Sequence, residues 1–130
     1  MNALTHIFIS EHADINVLLN AIINQNIPSR REEMLKTLKI ALMKHFGKEE
    51  LFYARYRSDL KDILMTIDRL RTEHKLIIDI LTQGQMTTVD VKKFLTVHEH
   101  IEENTLYPAL EKSVSEKDIQ DILQKFLTQI

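Results

Sequence analysis

Apolar residues recur along most of this chain at steps of three and four, the spacing that lays a stripe down one face of a helix. Four long stripes emerge. The first holds Leu4, Phe8, His12, Ile15, Leu19 and Ile22, and the second Leu35, Leu38, Leu42, His45, Glu49 and Phe52. The third holds Leu60, Ile63, Ile67, Leu70, His74, Ile77 and Leu81, and the fourth Val91, Leu95, His98, Glu102 and Leu106. Punctuation between the stripes predicts the element ends. A first helix runs from Ala3 to Gln25 and stops before "NIPS". Ser29 with Glu32 three residues later reads as a capping box opening a second helix that lasts to Tyr56. Ser58 offers the start of a third helix, and Gly84 its end. Thr87 or Thr88 caps the fourth, which Pro108 weakens or kinks near its end. Ser115 with Asp118 opens a short last helix to the C-terminus. Short connections make neighbouring helices antiparallel. The expected fold is all-α: an antiparallel up-down-up-down four-helix bundle with a short C-terminal helix, one domain over residues 1–130.

Composition supports a helical reading and narrows the chemistry. Two glycines and two prolines leave few breaks in a chain rich in Leu, Ile, Lys, Glu and Gln. The 130 residues suffice for a core without cross-links. With no cysteine, disulfides, thiolate ligands and thiol nucleophiles all drop out, so any metal would be held by nitrogen and oxygen. The formal charge of −2 is mixed in sign and gives no footprint for nucleic acid. No apolar run approaches the about 20 residues that span a bilayer, and the N-terminus has no leader pattern. The expectation is a soluble cytoplasmic protein that engages neither nucleic acid nor membrane.

The stripes themselves hold the unusual chemistry. Each contains one histidine, the second and fourth add a glutamate one turn later, and nothing else charged falls in any of them. A lone histidine on an apolar face is more often a hydrogen-bonded core residue than a ligand. Six residues at one height are another matter. His12 lies about 13 residues before the first loop and His45 about 16 after it, roughly 20 and 24 Å along their helices. His74 lies about 9 residues before the third loop and His98 about 10 after it, roughly 14 and 15 Å. Four inward imidazoles and two inward carboxylates in one layer cannot all satisfy one another cheaply, and a bound cation resolves the conflict. His12, His45, Glu49, His74, His98 and Glu102 fit two ions, each taking two histidines, with both carboxylates bridging at the usual separation of about 3.5–4 Å. Mixed imidazole and carboxylate ligation suits iron first, then manganese or zinc.

The chain also repeats. "EHADINVLL" at 11–19 parallels "EHKLIIDIL" at 73–81, and "HFGKEELFY" at 45–53 parallels "HEHIEENTLY" at 98–107. The first two helices look like an older copy of the next two, the symmetry that a two-ion centre between the pairs requires. With "SEHADI", "KHFGKEELF", "TEHKLI" and "HEHIEENTLYP", residues 3–112 resemble a hemerythrin-like, His-His-Glu cation-binding domain; the last string is its most specific motif. The resemblance implies a four-helix bundle holding a non-haem di-iron centre, with oxygen, nitric oxide or peroxide as reactant. It implies His12 and His45 on one iron, His74 and His98 on the other, and Glu49 and Glu102 bridging.

Two departures bear on function. Where oxygen-carrying hemerythrins have a second histidine four residues along the third helix, this chain has Ile78. Where they have an aspartate five after the fourth-helix histidine, it has Glu103. Glu102 is the preferred ligand, because a step of four keeps it on the face of His98 while five turns it away. The missing histidine leaves open positions, which favours redox or irreversible chemistry over reversible carriage. The leading expectation is therefore a di-iron protein that binds or reacts with a small diatomic or peroxide, more a metal- and gas-binding protein than a dedicated enzyme. Oxidase- or peroxidase-like activity is compatible with it. Alternatives are iron storage, donation or repair through an iron-receiving partner, and a redox or oxygen sensor acting through a partner protein. Of the remaining residues, His100 reads as a surface histidine and His6 as structural or exposed. Glu11 and Glu73 read as surface acids or as orienting partners of the ligand imidazoles. Tyr53 and Tyr107 read as packing at the bundle end. Ile15, Leu42, Ile77, Ile78 and Leu95 read as core and, secondarily, as lining for a gas pocket.

Overall fold

In the computed structural model, residues 3–84 and 86–128 are described, and every regular element among them is helical. Helices α1 (Ala3–Ile23), α2 (Pro28–Tyr56), α3 (Leu64–Gln83) and α4 (Thr88–Ile101) are the long ones. They are followed by a π-helical turn (Glu102–Leu106), α5 (Tyr107–Ser113) and α6 (Glu116–Thr128). Helix α1 packs against α2 and α4, α2 against α3, and α3 against α4, while α6 lies on α2. None of the described helices is long and apolar enough to cross a membrane. The expected course of the last helix to Ile130 runs past the described residues.

The stripes face inward as their spacing requires. Every member of the first and fourth is buried. In the second and third, Leu35, Ile63 and Leu81 are half-buried and the rest are buried. The buried apolar residues form two separate clusters. One gathers Phe8, Phe52, Tyr56, Ile67, Leu70, Leu106 and Leu110 with Ile119 and Ile122 of α6. The other gathers Leu19, Ile22, Leu38, Leu42, Phe46, Ile77 and Leu95. Between them lies the layer of buried His and Glu side chains.

Several element ends differ from expectation for local reasons. The Ser29 capping box does not form. Helix α2 begins two residues earlier, with Pro28 in its first turn and no side-chain cap on Ile27, because proline's fixed φ suits that position and its missing N–H is no loss there. The third helix does not start at Ser58. A tight turn after Tyr56 first buries Leu60, whose N–H donates to the Tyr56 carbonyl at 2.9 Å, and a 3-10 turn (Lys61–Ile63) leads into α3. Gly84 ends α3 in the left-handed conformation at φ 64°, its N–H reaching the Ile80 carbonyl. Thr87 caps α4 by accepting from the Asp90 N–H, and Ser115 accepts from the Asp118 N–H at the start of α6. Pro108 acts as expected, though as more than a kink. It sits in the first turn of α5, immediately after the π turn in which the Tyr107 N–H reaches back five residues to the Glu102 carbonyl.

Candidate metal centre

The six residues singled out by spacing lie together in the polar layer, all at most 4% exposed. His12 and His45 bring their Nε2 atoms to 3.1 Å from each other. Glu49 Oε1 lies 3.3 Å from Nε2 of both His45 and His74. Glu102 holds Oε1 3.2 Å from His12 Nε2, and Oε2 3.3 Å from His98 Nε2 and 3.7 Å from His74 Nε2. Each carboxylate thus touches one histidine of the α1/α2 pair and at least one of the α3/α4 pair. Ligand atoms of His12, His45, Glu49 and Glu102 fall within 4.8 Å of one another, and so do those of Glu49, His74, His98 and Glu102. The two groups share both carboxylates.

Four of these atoms (Glu49 Oε1, His74 Nε2, His98 Nε2 and Glu102 Oε1) are buried without a hydrogen-bond partner. Orphaned polar atoms at this depth each cost on the order of 1–3 kcal/mol. That they converge on common points, and are all imidazole nitrogens or carboxylate oxygens, is the chemistry a divalent cation needs. The residues fit the group.

The outer nitrogens of the imidazoles are held by four further acids in a cyclic order. Glu11 of α1 meets His45 Nδ1 at 2.9 Å, and Glu50 of α2 meets His74 Nδ1 at 3.1 Å. Glu73 of α3 meets His98 Nδ1 at 2.9 Å, and Glu103 of the π turn meets His12 Nδ1 at 3.1 Å. An ionised carboxylate only accepts, so Nδ1 carries the hydrogen and Nε2 turns toward the centre. Each helix orients the histidine of the next. Basic residues hold three of the four acids in turn: Lys48 pairs with Glu11, Arg71 with Glu50 at 2.7 Å and Arg69 with Glu73 at 3.0 Å. For Glu11 and Glu50, burial alone would raise the pKa, but the histidine and basic partners outweigh it and hold both below the usual carboxylate value.

The sequence left Glu11 and Glu73 as either surface acids or orienting partners, of which the structure shows the second, and it gave no such role to Glu50 and Glu103. The signal was an acid beside one of the six on each helix: Glu-His on α1 and α3, Glu-Glu on α2 and just after α4. Glu103 is turned from the centre as expected, yet it is only half-exposed and reaches the outer side of His12. His6 and His100 are exposed, the latter with Nδ1 3.2 Å from the Asn104 amide.

The tyrosines do more than pack. Both are buried in the apolar cluster on that side, but their hydroxyls face the carboxylates. Tyr107 donates to Glu49 Oε2 at 2.7 Å and lies 3.1 Å from His12 Nε2; Tyr53 lies 3.4 Å from Glu102 Oε2. Each ring also stacks on a histidine of the layer, Tyr107 on His12 at 5.7 Å and Tyr53 on His74 at 6.1 Å between centroids. Burial first, then the charges of Glu49 and Glu102, push both phenols well above their ordinary value, so both remain donors.

Charge in the layer is strongly coupled. Burial alone would raise Glu102, yet its close contacts with Glu49, His12, His74 and His98 hold it well below the usual carboxylate range. Burial raises Glu49, and the Glu102 charge adds to it. Burial opposes charge on His12 and His74, but neighbouring carboxylates prevail, lifting His12 to about 9 and His74 to about 11. Without a cation, protons provide the positive charge that the carboxylates demand.

No curated protein and no solved structure matches the chain. The Hemerythrin HHE cation binding domain matches residues 3–93, which include His12, His45, Glu49 and His74 and stop short of His98 and Glu102. Those two lie across the same layer from the matched four. By a match over more than half its length, the chain belongs to the hemerythrin HHE cation-binding domain family.

Proposed function

We propose that this protein is a non-haem di-iron protein that binds or reacts with a small oxidant or diatomic: oxygen, nitric oxide or peroxide. His12 and His45 would hold one ion and His74 and His98 the other, with Glu49 and Glu102 shared. One observation carries this reading. Two four-residue ligand groups overlap in both carboxylates, and four of their buried atoms have no other partner. The same reading makes α1 to α4 an antiparallel up-down-up-down bundle, a single domain over residues 1–130 working in the cytoplasm. Manganese and zinc remain chemically compatible with the donors.

Iron in such a site supplies redox exchange and an electron-poor position for a small ligand. The chain's own part is positioning. Glu11, Glu50, Glu73 and Glu103 fix the four imidazoles, Tyr107 and Tyr53 steady the shared carboxylates, and the two apolar clusters keep water from the layer. The ligand count also matters. Two imidazoles and two shared carboxylates leave each ion short of six protein ligands, which supports reactivity and equally supports the alternative of iron donation.

The deciding experiment is metal content with an ultraviolet–visible spectrum of the ferrous form before and after oxygen. Two irons per chain and a new near-ultraviolet charge-transfer band support the proposal. Iron lost rapidly to a weak chelator favours storage or donation. One ion per chain, or zinc alone, overturns the di-iron reading while keeping the layer as a metal site.

A further inference from the structure

The two halves of the centre are related by the internal repeat, with His12 matching His74 and His45 matching His98. Each half has a surface groove over its outer face, and the two grooves are built from matching positions. One, of about 470 Å³, runs beside His74 and is lined by Met43, Phe46, Ile78, Arg71 and Lys75. The other, of about 390 Å³, runs beside His12 and is lined at the corresponding positions by Thr96, Glu99, Asn16, Ile9 and Ala13. Glu50 and Glu103, the outer acids of the two histidines, also correspond. The positions agree and the chemistry does not.

On the His74 side Phe46 lies flat on the imidazole, with centroids 4.0 Å apart and planes 10° from parallel. The groove above it is apolar at its floor and carries Arg71 and Lys75 against Glu50 and Asp79, so its side-chain charges balance. On the His12 side the position of Phe46 is taken by Glu99. That side chain is 7% exposed as a residue, its Oε2 accepts from the Asn16 amide at 3.1 Å and lies 3.7 Å from His12 Nδ1, and its Oε1 has no partner. Glu99 also lines a narrow interior gap, too tight for water, together with His12, His45, His98 and Glu102. Glu99 and His12 are the side chains shared by the groove and the gap, and of the two only Glu99 belongs to neither ligand group.

We propose that the Glu99 groove is the port through which a hydrated divalent cation reaches the centre. This rests on the two-metal reading above. A bare ion pays a large desolvation penalty on leaving water, which an oxygen ligand on the path reduces. The buried, half-satisfied Glu99 carboxylate supplies that ligand, with Glu103 at the mouth and no Lys or Arg lining this groove. The twin groove offers a stacked ring and acids already matched by Arg71 and Lys75 instead, so loading is one-sided and both ions arrive past His12.

The test is stopped-flow uptake of cobalt(II), an oxygen-stable stand-in for ferrous iron, followed by its visible absorption in the full chain. Glu99→Gln should slow uptake by about tenfold or more, the scale on which a focused charge accelerates cation arrival, with two ions still bound at the end. Thr96→Met, which places in this groove the side chain its twin carries, changes only an exposed position and should slow uptake as well. Met43→Gln in the twin groove should leave the rate unchanged. Unaltered rates in both Glu99→Gln and Thr96→Met, or equal slowing by Met43→Gln, overturn the port while two bound ions leave the centre standing. A wild-type chain that binds no cobalt overturns both.

Discussion

Helix α2 and the α4 segment present the same three groups to the centre at different spacings. In α2, His45, Glu49 and Tyr53 follow at even steps of four; on the α4 side, His98, Glu102 and Tyr107 follow at four and then five. At 3.6 residues per turn a step of five would carry Tyr107 off the inward face. The π turn over Glu102–Leu106 takes up the extra residue, and Tyr107 reaches Glu49 as Tyr53 reaches toward Glu102. What the two copies preserve is the position of the group in space, and the backbone bends to keep it. The reach is nonetheless unequal, 2.7 Å on one side and 3.4 Å on the other.

The largest effect should come from removing what the halves share. Because Glu49 and Glu102 each touch both histidine pairs, Glu49→Ala and Glu102→Ala should weaken both ions alike. The loss should exceed the roughly 10–100-fold that loss of an outer-shell partner brings, as read by competition against a chelator of known affinity. Weakening of one ion only would show that the halves are separate sites.

Deleting Asn104 tests the π turn directly. It restores a step of four between Glu102 and the tyrosine, but it also drives the proline into α-helical backbone, at about 3 kcal/mol. Combined with Pro108→Ala, the deletion should recover most of that loss in urea unfolding and retain two ions. If the combined variant stays as unstable as the deletion alone, the π turn does more than absorb one residue.

A smaller contrast separates the tyrosines. Tyr107→Phe leaves Glu49 Oε2 without its 2.7 Å donor and should destabilise the metal-free chain by about 1.5–3 kcal/mol, the range for a hydrogen bond to a charged group. Tyr53→Phe removes only a 3.4 Å contact at the margin of hydrogen bonding, and should cost about 0.5 kcal/mol or less. Equal losses in urea unfolding would mean that ring packing, common to both, outweighs the hydroxyls.

These contrasts also mark where the sequence could be read. The six inward residues follow from a helical period alone, since position modulo one turn decides which face a side chain takes. The outer acids do not. Glu50 is next to Glu49 in sequence but bonds to His74 on the following helix, and Glu103 bonds back to His12 on the first. Knowing that requires the lateral order of helices around the layer, which spacing within one helix does not contain. The hydroxyls of Tyr53 and Tyr107 were hidden for a different reason, because a tyrosine at a bundle end reads as packing whichever way its hydroxyl points. Ser29 and Pro28 competed for one helix start, and the residue with the fixed φ took it. Glu99 could have been noticed only by aligning it with Phe46, a buried aromatic one residue after the other copy's histidine.

The gentlest way to separate the halves is pH. In the metal-free chain His12 and His74 are lifted above their ordinary 6.5, to about 9 and about 11, because carboxylate contacts outweigh burial. A histidine whose folded pKa is raised contributes stability that is complete below 6.5 and is lost as pH rises through the folded value. Thermal unfolding of the metal-free chain should therefore weaken from pH 6 upward in two stages, the His12 side fading near pH 9 and the His74 side later. Metal affinity should move the other way, because His12 and His74 must give up a proton to bind a cation. Loading near pH 7 should thus release protons, measurable as a dependence of the calorimetric enthalpy on the ionisation enthalpy of the buffer. If loading releases none, the histidines are already neutral, and the carboxylates in the layer must be sharing protons between themselves.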